Sequence, residues 1–315
     1  MKNLRYSFLP TPIQKLENLS KIFNANIYCK RDDLTGFAFG GNKTRKLDYI
    51  IPEVLSKECD TLVAVGGFQS NFCRVAAAYG AKNGMETHLV LGGKKSPSLD
   101  SGNLLLDKML GSHIHFVESE DWSIWENEAK KLTAHLIKKG RRAYYIPIGG
   151  SNVLGAQGYI ECMKEIITTG INFDYIIHAT SSGGTQSGLI LGKYLYGYKG
   201  QIIGINVSKE KDILFNEVLD LCENTIKYLH LEKKIKLNPF DIKIDSRYIG
   251  KKYAEATVEC IEAVKLFARS EGIFLDYVYS GKAASALIDY CRKKSFTKKE
   301  KILFIHTGGN IELFA

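Results

Sequence analysis

Cysteine pairs are missing from this sequence, and with them the usual signs of a zinc site or a disulfide framework. The 315 residues include 7 cysteines, an odd number, and no two of them form a C-x-x-C pair. We therefore expect neither a bound metal nor a disulfide scaffold. Unpaired thiols suit a reducing compartment, and a cytoplasmic location is the corresponding expectation.

Long apolar runs are absent as well. The first residues, Met1-Lys2-Asn3-Leu4-Arg5-Tyr6, lack the apolar segment of a secretory signal, and no apolar run approaches membrane-spanning length. No contact with a membrane is expected. Internal repeats and low-complexity stretches are also lacking, which indicates an ordinary globular chain.

Basic residues outnumber acidic ones, but they are not concentrated enough to indicate a nucleic-acid site. Lysine and arginine number 43 against 34 aspartates and glutamates, a net charge of +9. Most of the lysines are scattered, with a local cluster between Arg292 and Lys301. A solvated basic surface explains this pattern best, and the charge supports no more than an attraction for anionic substrates or phosphate.

Short apolar segments rich in β-branched residues alternate with helical patterns along the whole chain. The predicted strands are residues 27–29, 61–65, 88–91, 114–117, 143–146, 175–178, 201–205 and 302–305. The predicted helices are residues 43–56, 69–83, 101–110, 122–139, 155–168, 186–196, 253–270 and 282–293. This alternation predicts an α/β fold with largely parallel sheets, and the length favours two domains.

Glycine-rich segments follow three of these strands, where ligands gather in parallel sheets. In the second, Ser181-Ser182-Gly183-Gly184-Thr185, hydroxyls and free backbone N–H groups open a helix and suit a phosphate. The segment lacks the Gly-Lys-Ser/Thr ending of a triphosphate loop, and Thr185 takes the middle glycine position of a dinucleotide fingerprint. A small phosphorylated cofactor fits it best, although an ordinary strand-to-helix turn remains an alternative.

Lys43 is the residue that most needs a chemical explanation. It follows Gly40-Gly41-Asn42, and glycines let backbone approach closely to a ligand. A lysine amine reacts with a carbonyl once it loses its proton. The alternative is that the glycines merely break the chain before a helix with a basic first turn.

Ser70 and Asn71 open another helix after a strand. The segment Gly66-Gly67-Phe68-Gln69-Ser70 is not the G-x-S-x-G of a hydrolase, and no paired acid and histidine stand out. Capping of the helix is the structural alternative for Ser70. A reactive lysine together with a separate phosphate cradle favours pyridoxal phosphate, whose aldehyde condenses with lysine.

Taken in order, these motifs resemble a known enzyme family, that of 1-aminocyclopropane-1-carboxylate deaminase and D-cysteine desulfhydrase. The segments concerned are Lys30-Arg31-Asp32-Asp33-Leu34, Gly40-Gly41-Asn42-Lys43, Gln69-Ser70-Asn71, Ser182-Gly183-Gly184-Thr185, Tyr279-Ser280-Gly281-Lys282 and Phe304-Ile305-His306-Thr307-Gly308-Gly309. The resemblance spans nearly the whole chain. It implies a pyridoxal-phosphate enzyme of fold type II, similar to tryptophan synthase β, which forms a homodimer. It also implies a larger cofactor-binding domain (residues 1–42 and 150–315) and a smaller α/β domain (residues 43–149).

The resemblance also implies roles for individual residues. Lys43 would form the Schiff base with the cofactor, Asn71 would approach its phenolic oxygen, and residues 182–185 would bind its phosphate. Ser70 would contact the substrate carboxylate or assist proton transfer. Two tyrosines would lie near the substrate, Tyr253 and Tyr279, although Tyr253-Ala254 replaces the more usual Tyr-Gly. Ser280 is expected nearest the pyridine nitrogen, with Thr307 as the second candidate.

The residue after Tyr279 separates members of the family. In the cyclopropane deaminases that the sequence resembles, a glutamate follows this tyrosine and engages the pyridine nitrogen. In this sequence the corresponding residue is Ser280. A hydroxyl would leave the ring nitrogen largely neutral, which favours loss of a good β-leaving group. We therefore expect α,β-elimination on a small amino acid, above all D-cysteine, giving pyruvate, ammonia and sulfide.

Three alternatives remain open from the sequence. They are 1-aminocyclopropane-1-carboxylate deamination, a lyase for another amino acid, and a non-catalytic regulatory protein that binds the cofactor. Phe72, where relatives often carry histidine, and Tyr277, in place of a proline, are expected to reshape the substrate pocket. Retention of the lysine, the serine and both tyrosines argues against the regulatory alternative.

Overall fold

The computed structural model describes residues 4–94 and 100–315 and arranges their strands in two sheets. In chain order the strands are β1 (Ile13–Lys15), β2 (Asn26–Lys30), β3 (Thr61–Gly67), β4 (Glu86–Gly92), β5 (His113–Val117), β6 (Ala143–Ile146), β7 (Tyr175–Thr180), β8 (Gln201–Asn206), β9 (Lys243–Asp245) and β10 (Lys301–Ile305). The larger sheet has the order β1-β2-β10-β7-β8-β9, and the smaller has β5-β4-β3-β6. Apart from the antiparallel pair of β1 and β2, the described pairings are parallel, so the predicted α/β class is confirmed.

Helices cover both faces of each sheet. In chain order they are α1 (Glu17–Phe23), α2 (Asn42–Ser56), α3 (Asn71–Lys82), α4 (Gly102–Met109), α5 (Trp122–Lys138), α6 (Val153–Thr168), α7 (Gly184–Tyr196), α8 (Lys211–Tyr228), α9 (Val258–Glu271) and α10 (Ser280–Arg292). On the larger sheet, Ile177 packs with α9 and α10, whereas its neighbour Ile176 packs with α6, α7 and α8. Burial on both faces explains why the central strands are apolar at nearly every position.

Each predicted strand and helix is present, but one predicted boundary is wrong and four elements went unpredicted. The helix expected from residue 253 begins at Val258, because Thr257 caps it by accepting a hydrogen bond from the Cys260 N–H at 3.1 Å. Tyr253 therefore lies in a loop, next to Ala254 at φ 64°. Of the unpredicted elements, α1 is short, and β1 and β9 have too few residues to show a period. α8 is different, since its buried residues recur every four positions.

A buried ionic cluster joins the larger sheet to the helices α2 and α6. Asp32, just after β2, accepts hydrogen bonds at 2.8 and 2.9 Å from the guanidinium of Arg45 on α2. Arg45 also reaches Glu165 on α6 at 2.8 Å, and Lys30 reaches the same carboxylate at 2.7 Å. Burial alone would raise the pKa of Asp32, but the two cations outweigh it and lower that pKa to about 2. The cluster fixes the start of α2 relative to the larger sheet.

The segments of the chain that form each sheet follow the order of the predicted domains. Strands of the larger sheet come from residues 13–30 and 175–305, and strands of the smaller sheet from residues 61–146. The domain boundaries themselves stay a prediction, and residues 1–3 and 95–99 of those domains lie outside the described residues. Within the described part of the chain, no helix combines the length and apolarity needed to cross a bilayer.

Candidate active site

A cleft that is partly open to solvent lies at the carboxyl ends of β3, β7 and β10. This is the edge at which parallel sheets bind ligands. Most of the predicted site residues line it, namely Lys43, Ser70, Asn71, Ser182, Gly183, Thr185, Tyr253, Tyr279 and Thr307. Gly184 and Ser280 are close by but do not line the cleft.

Lys43 sits in the first turn of α2, at a point where two loops pass close together. A Cβ on Gly41, the residue before the helix, would lie 3.0 Å from the Thr307 carbonyl oxygen, and φ of 104° also favours glycine. A Cβ on Gly308 would lie 2.7 Å from the Gly41 Cα. Both glycines thus permit the approach that brings Thr307 and Lys43 to one cleft.

The amine of Lys43 is poorly solvated. Burial lowers its pKa to about 8, and a negative charge on Glu312 would oppose that shift. At neutral pH about a tenth of this amine is therefore unprotonated, against about one part in several thousand for a lysine at 10.5. An unprotonated amine is the form that attacks an aldehyde.

The predicted phosphate cradle is built from the turn between β7 and α7. Gly183 adopts the left-handed conformation, with φ 77°, and leads into the first turn of α7 at Gly184. The Ser182 hydroxyl lies 2.8 Å from that of Ser151, and Ser151 accepts a hydrogen bond from the Gly184 N–H at 3.2 Å. Hydroxyls and a helix N-terminus therefore converge on one side of the cleft, as an anion requires.

Lys46 belongs to this cradle, although the sequence analysis did not predict it as a site residue. Its ammonium donates to the Gly149 carbonyl at 3.0 Å and to Ser151 at 3.2 Å, and it lines the cleft. Burial, together with the nearby charge of Lys43, holds the pKa of Lys46 well below its usual value. An anion bound beside it would reverse that shift. The available signal was the spacing, since residues three apart share one face of a helix.

Ser70 and Asn71 reach the cleft from the start of α3. Ser70 caps the helix, accepting from the Cys73 N–H at 3.2 Å, so the capping alternative is correct even though the hydroxyl also lines the cleft. A Cβ on Gly66 would lie 2.4 Å from the Ser70 oxygen, which explains glycine there. The Asn71 amide donates to Glu312 at 2.7 Å and accepts from Arg74 at 2.8 Å.

Glu312 is a second residue that the sequence did not reveal. It lies behind Asn71, and its second carboxyl oxygen is buried without a hydrogen-bond partner among the described residues. Burial, reinforced by the charge of Asp276, holds the pKa of Glu312 well above its usual range against the pull of Arg74. These surroundings therefore favour the protonated form of the side chain. No motif marked it, because it is an isolated acid near the end of the sequence.

Aromatic side chains form one wall of the cleft. The hydroxyls of Tyr253 and Tyr279 share a short hydrogen bond, and burial raises the pKa of both phenols. The Trp122 ring packs edge-on against Tyr253 at 5.2 Å and lies 5.9 Å from Trp125, which also lines the cleft. Both phenols therefore keep their protons at neutral pH, and because one hydroxyl donates to the other, the pair has one O–H left to donate to a ligand.

The two hydroxyls proposed for the ring nitrogen differ in position. Ser280 is 1% exposed, and its hydroxyl makes a short hydrogen bond to the Asp276 carboxylate at the start of α10. Thr307 lines the cleft directly. Which of them meets the cofactor stays a prediction, but the Ser280 hydroxyl already has a partner in Asp276, whereas Thr307 belongs to the lining of the cleft.

The residues expected to reshape the pocket also differ. Phe72 is 2% exposed, packs in the core of the smaller sheet and lines the cleft. Tyr277 packs against the core of the larger sheet and does not line the cleft. Of the two, only Phe72 therefore contacts the space in which a substrate would lie.

The charges around the cleft fit a phosphorylated aldehyde and an amino acid. Lys43 and Lys46 line it, and among the described lining residues none is an aspartate or a glutamate. A Cβ on Gly184 would lie 2.6 Å from the Ser151 hydroxyl and 2.8 Å from the Lys46 ammonium, so the cradle has room only for glycine. A phosphate at the cradle and an aldehyde at Lys43 are what this set of donors accommodates.

Known proteins match this chain along nearly its whole length. The sequence model of the family described as pyridoxal-phosphate dependent enzyme matches residues 4–308. A putative 1-aminocyclopropane-1-carboxylate deaminase of Pyrococcus furiosus is 38% identical over 304 residues, covering 95% of this chain and 89% of that protein. D-cysteine desulfhydrase of Yersinia enterocolitica is 35% identical over 318 residues, covering 97% and 93%.

A relative in Arabidopsis thaliana carries both activities and a location in its name. It is the mitochondrial bifunctional D-cysteine desulfhydrase/1-aminocyclopropane-1-carboxylate deaminase, 38% identical over 321 residues that cover 97% of this chain and 78% of that protein. Among solved structures, an ACC deaminase homologue superposes with a TM-score of 0.92 at 35% identity, covering 99% and 93% of the two chains. A pyridoxal 5'-phosphate-dependent aspartate racemase shares the fold, with a TM-score of 0.67 at 16% identity and 95% and 90% coverage. The expected fold type and the resemblance on which it was based are both confirmed.

Proposed function

Because this chain belongs to the pyridoxal-phosphate-dependent enzymes, in the family of 1-aminocyclopropane-1-carboxylate deaminase and D-cysteine desulfhydrase, we propose that it is a lyase that eliminates a β-substituent from a small amino acid. D-cysteine is the substrate favoured, with water consumed and pyruvate, ammonia and sulfide released. The observation that carries the proposal is a cleft lined by two lysines, hydroxyls and aromatic rings but, among the described residues, by no carboxylate.

The roles of individual residues follow from that lining. Pyridoxal phosphate supplies an aldehyde that condenses with amines and an electron sink for the charge left at Cα. Lys43 would hold the aldehyde, and its amine, when free, would be the base for the Cα proton of the substrate. Ser182, Gly183, Gly184 and Thr185 bind the phosphate, with Lys46 beside them.

Residues of the smaller sheet and the tyrosine wall hold the substrate. Asn71, fixed by Glu312 and Arg74, would donate to the phenolic oxygen of the cofactor, and Ser70 would bind the substrate carboxylate. The protonated hydroxyl pair of Tyr253 and Tyr279 lies where it can donate to the departing group. A thiolate needs no strong acid to leave, which suits phenols whose pKa is raised.

The absence of a lining carboxylate supports D-cysteine over the cyclopropane substrate. A carboxylate beside the pyridine nitrogen would favour its protonated form and strengthen the electron sink, as opening of a carbon ring requires. Here a hydroxyl, that of Thr307 or Ser280, is the candidate neighbour, and it would leave the ring nitrogen of a bound cofactor largely neutral. Loss of a thiolate is within reach of that weaker sink.

The test is a panel of D- and L-amino acids together with 1-aminocyclopropane-1-carboxylate, scored for keto acid and sulfide. The proposal expects sulfide and pyruvate from D-cysteine, and a visible absorption band that is lost in Lys43→Ala. Formation of 2-oxobutanoate from the cyclopropane substrate without turnover of D-cysteine would support the deaminase alternative. A normal band with no turnover of any compound would favour the regulatory protein.

A matched pair of variants distinguishes the two hydroxyls. Thr307→Val keeps the shape of the side chain and removes only its hydroxyl, so turnover should fall by at least tenfold while the melting temperature changes little. Ser280→Ala removes a hydrogen bond to Asp276, which costs roughly 1.5–3 kcal/mol of stability with a smaller change in turnover. The reverse pattern would assign the ring nitrogen to Ser280.

The oligomeric state that we propose rests on the family resemblance. We propose a homodimer of chains that each hold a complete cleft, divided into domains near residues 42 and 149. Sedimentation of the holoenzyme at twice the mass of the chain would support the dimer. The cytoplasm remains the expected compartment, on the strength of the unpaired cysteines alone.

A further inference from the structure

Imidazoles and a carboxylate gather on the smaller sheet, at the end opposite the cleft. Glu86 and His88 are two residues apart on β4, so both side chains leave the same face of the sheet. His113 and His115 do the same on the neighbouring edge strand β5, and His88 pairs directly with His113. Glu86, His88, His113 and His115 therefore face one corner of the sheet, and the ligand atoms of the first three lie close together.

We propose that Glu86, His88 and His113 form a site for a divalent transition-metal ion, with Zn²⁺ as the best-suited occupant. The ligand atoms lie within 4.8 Å of one another. The Glu86 oxygen Oε1 is 2.8 Å from His88 Nε2 and 3.4 Å from His113 Nε2. These separations bracket the value of about 3.3 Å between ligands in a tetrahedral zinc site.

Neighbouring side chains hold the ligands in place. The second ring nitrogen of His88, Nδ1, lies 2.9 Å from His115 Nε2. With a metal on Nε2, the Nδ1–H would donate to His115, which is the hydrogen bond that orients most metal-binding histidines. Arg141 pairs with the other oxygen of Glu86, Oε2, and so leaves Oε1 to face the two imidazoles.

The burial of the three residues suits an ion that enters from solvent. The His88 side chain is 8% exposed and the Glu86 side chain 33%, whereas His113 is 57% exposed. The His88 and His113 rings stack at 4.7 Å, so the exposed His113 ring would have to rotate for its Nε2 to share an ion with His88. A fourth tetrahedral position stays open to water or to a group from a partner.

This inference goes beyond the chemistry of the cleft and does not depend on it. The ion would join the edge strand β5 to β4 at the start of both strands, whereas the cleft lies at the carboxyl ends of the strands. The proposed site also revises the expectation that the protein binds no metal. That expectation rested on the spacing of the cysteines, whereas these ligands include histidines on two adjacent strands.

The test is calorimetric titration of the untagged, chelator-treated holoenzyme with Zn²⁺. One site with a dissociation constant in the micromolar range is expected, together with a melting temperature that rises with Zn²⁺ concentration. His113→Ala and Glu86→Gln should each weaken binding at least tenfold. His115→Phe, which removes the orienting acceptor, should weaken it by roughly 10–100-fold.

A matched control is His230→Asn, since His230 is exposed and far along the chain, and asparagine tolerates its φ of 55°. Its affinity for Zn²⁺ should equal that of the unaltered enzyme. The visible cofactor band and the metal-free melting temperature of each variant check that it is folded. Zn²⁺ binding that is absent at millimolar concentration, or unchanged in both His113→Ala and Glu86→Gln, would overturn the site.

Discussion

The amine of Lys43 has lost much of its solvation before any cofactor arrives, and this sets the pH at which it reacts. Because only the unprotonated amine attacks an aldehyde, the rate of reconstitution of the apoenzyme with pyridoxal phosphate should rise about tenfold per pH unit below 8. It should level off above that pH. Stopped-flow absorbance at the visible band measures the rate across pH 6 to 10. A rate that keeps rising to pH 10 would mean that the lysine is solvated normally.

The raised pKa of Glu312 predicts how the stability of the folded protein changes with pH. The folded carboxyl keeps its proton above the usual value of 4.5, so its stabilising contribution is complete below that pH. That contribution is lost as the pH rises toward the raised pKa. The charges facing it are those of Asp276, which favours the proton, and Arg74, which opposes it.

Glu312→Gln copies the protonated acid, still accepts the Asn71 hydrogen bond and does not titrate. Between pH 5 and pH 8 the free energy of unfolding should therefore fall more in the unaltered protein than in this variant. Urea titrations at the two pH values measure the difference. Equal changes in both proteins would show that the carboxyl is ionised when folded. Glu312→Ala, which strips Asn71 of its acceptor, should weaken cofactor binding about tenfold, equivalent to the loss of roughly 1.4 kcal/mol.

At the scale of elements, β2, α2 and α6 depend on one buried set of charges. Arg45→Met would leave Asp32 and Glu165 with Lys30 as their remaining cation. Breaking a buried pair from one side costs about 3–5 kcal/mol, so the free energy of unfolding should fall by that amount. Urea titration at neutral pH gives the value.

Lys131→Met is the matched control, since its pair with Glu128 on α5 is exposed at 2.8 Å. An exposed pair is worth about 0–1 kcal/mol, and the control should lose no more than that. Similar losses in the two variants would contradict the role given to the buried cluster.

The elements themselves could be predicted wherever a period extends over enough residues. The strands around Val63 and Ile177 are buried on both faces and read as continuous apolar runs. Edge strands of three residues carry no such signal. The start of α9 could have been read from Thr257, whose hydroxyl is a preferred cap, instead of from the apolar pattern that begins earlier. α8 was predictable as well, because its buried residues recur every four positions.

At the scale of the whole molecule, the cleft takes its walls from the strands of both sheets. Lys43 and Asn71 come from helices packed on the smaller sheet, whereas Ser182 and Thr307 follow strands of the larger one. A ligand that touches both groups stabilises their contact. Pyridoxal phosphate at 100 times its dissociation constant should add about 2.7 kcal/mol to the free energy of unfolding of the apoenzyme.

Pyridoxal without its phosphate is the control for that prediction. It can reach Lys43 but leaves the cradle at Ser182 and Lys46 empty, so at equal concentration the rise in melting temperature should be much smaller. Scanning fluorimetry compares the two compounds directly. An equal rise would mean that the aldehyde alone joins the two sides and that the cradle contributes little.

Candidate site residues could be predicted where they lie in loops with a recognisable motif. Other residues could not, because their place in the site depends on tertiary contacts. Lys43 and Ser182 stand in glycine-rich turns whose chemistry can be read locally. Glu312 acquires its meaning from Asn71, which lies 241 residues earlier in the chain. The partner of Ser280, Asp276, was near in sequence, yet a serine gives no sign of whether its hydroxyl points into a cleft or caps a helix.

The position of the tryptophans gives the molecule a built-in optical probe. The chain has 2 tryptophans, Trp122 and Trp125, and both line the cleft. Indole emission therefore comes entirely from the neighbourhood of the cofactor, which absorbs light at the wavelengths that indoles emit. Arrival of the cofactor, its exchange with a substrate and its loss should each change that emission, so turnover can be followed without a label.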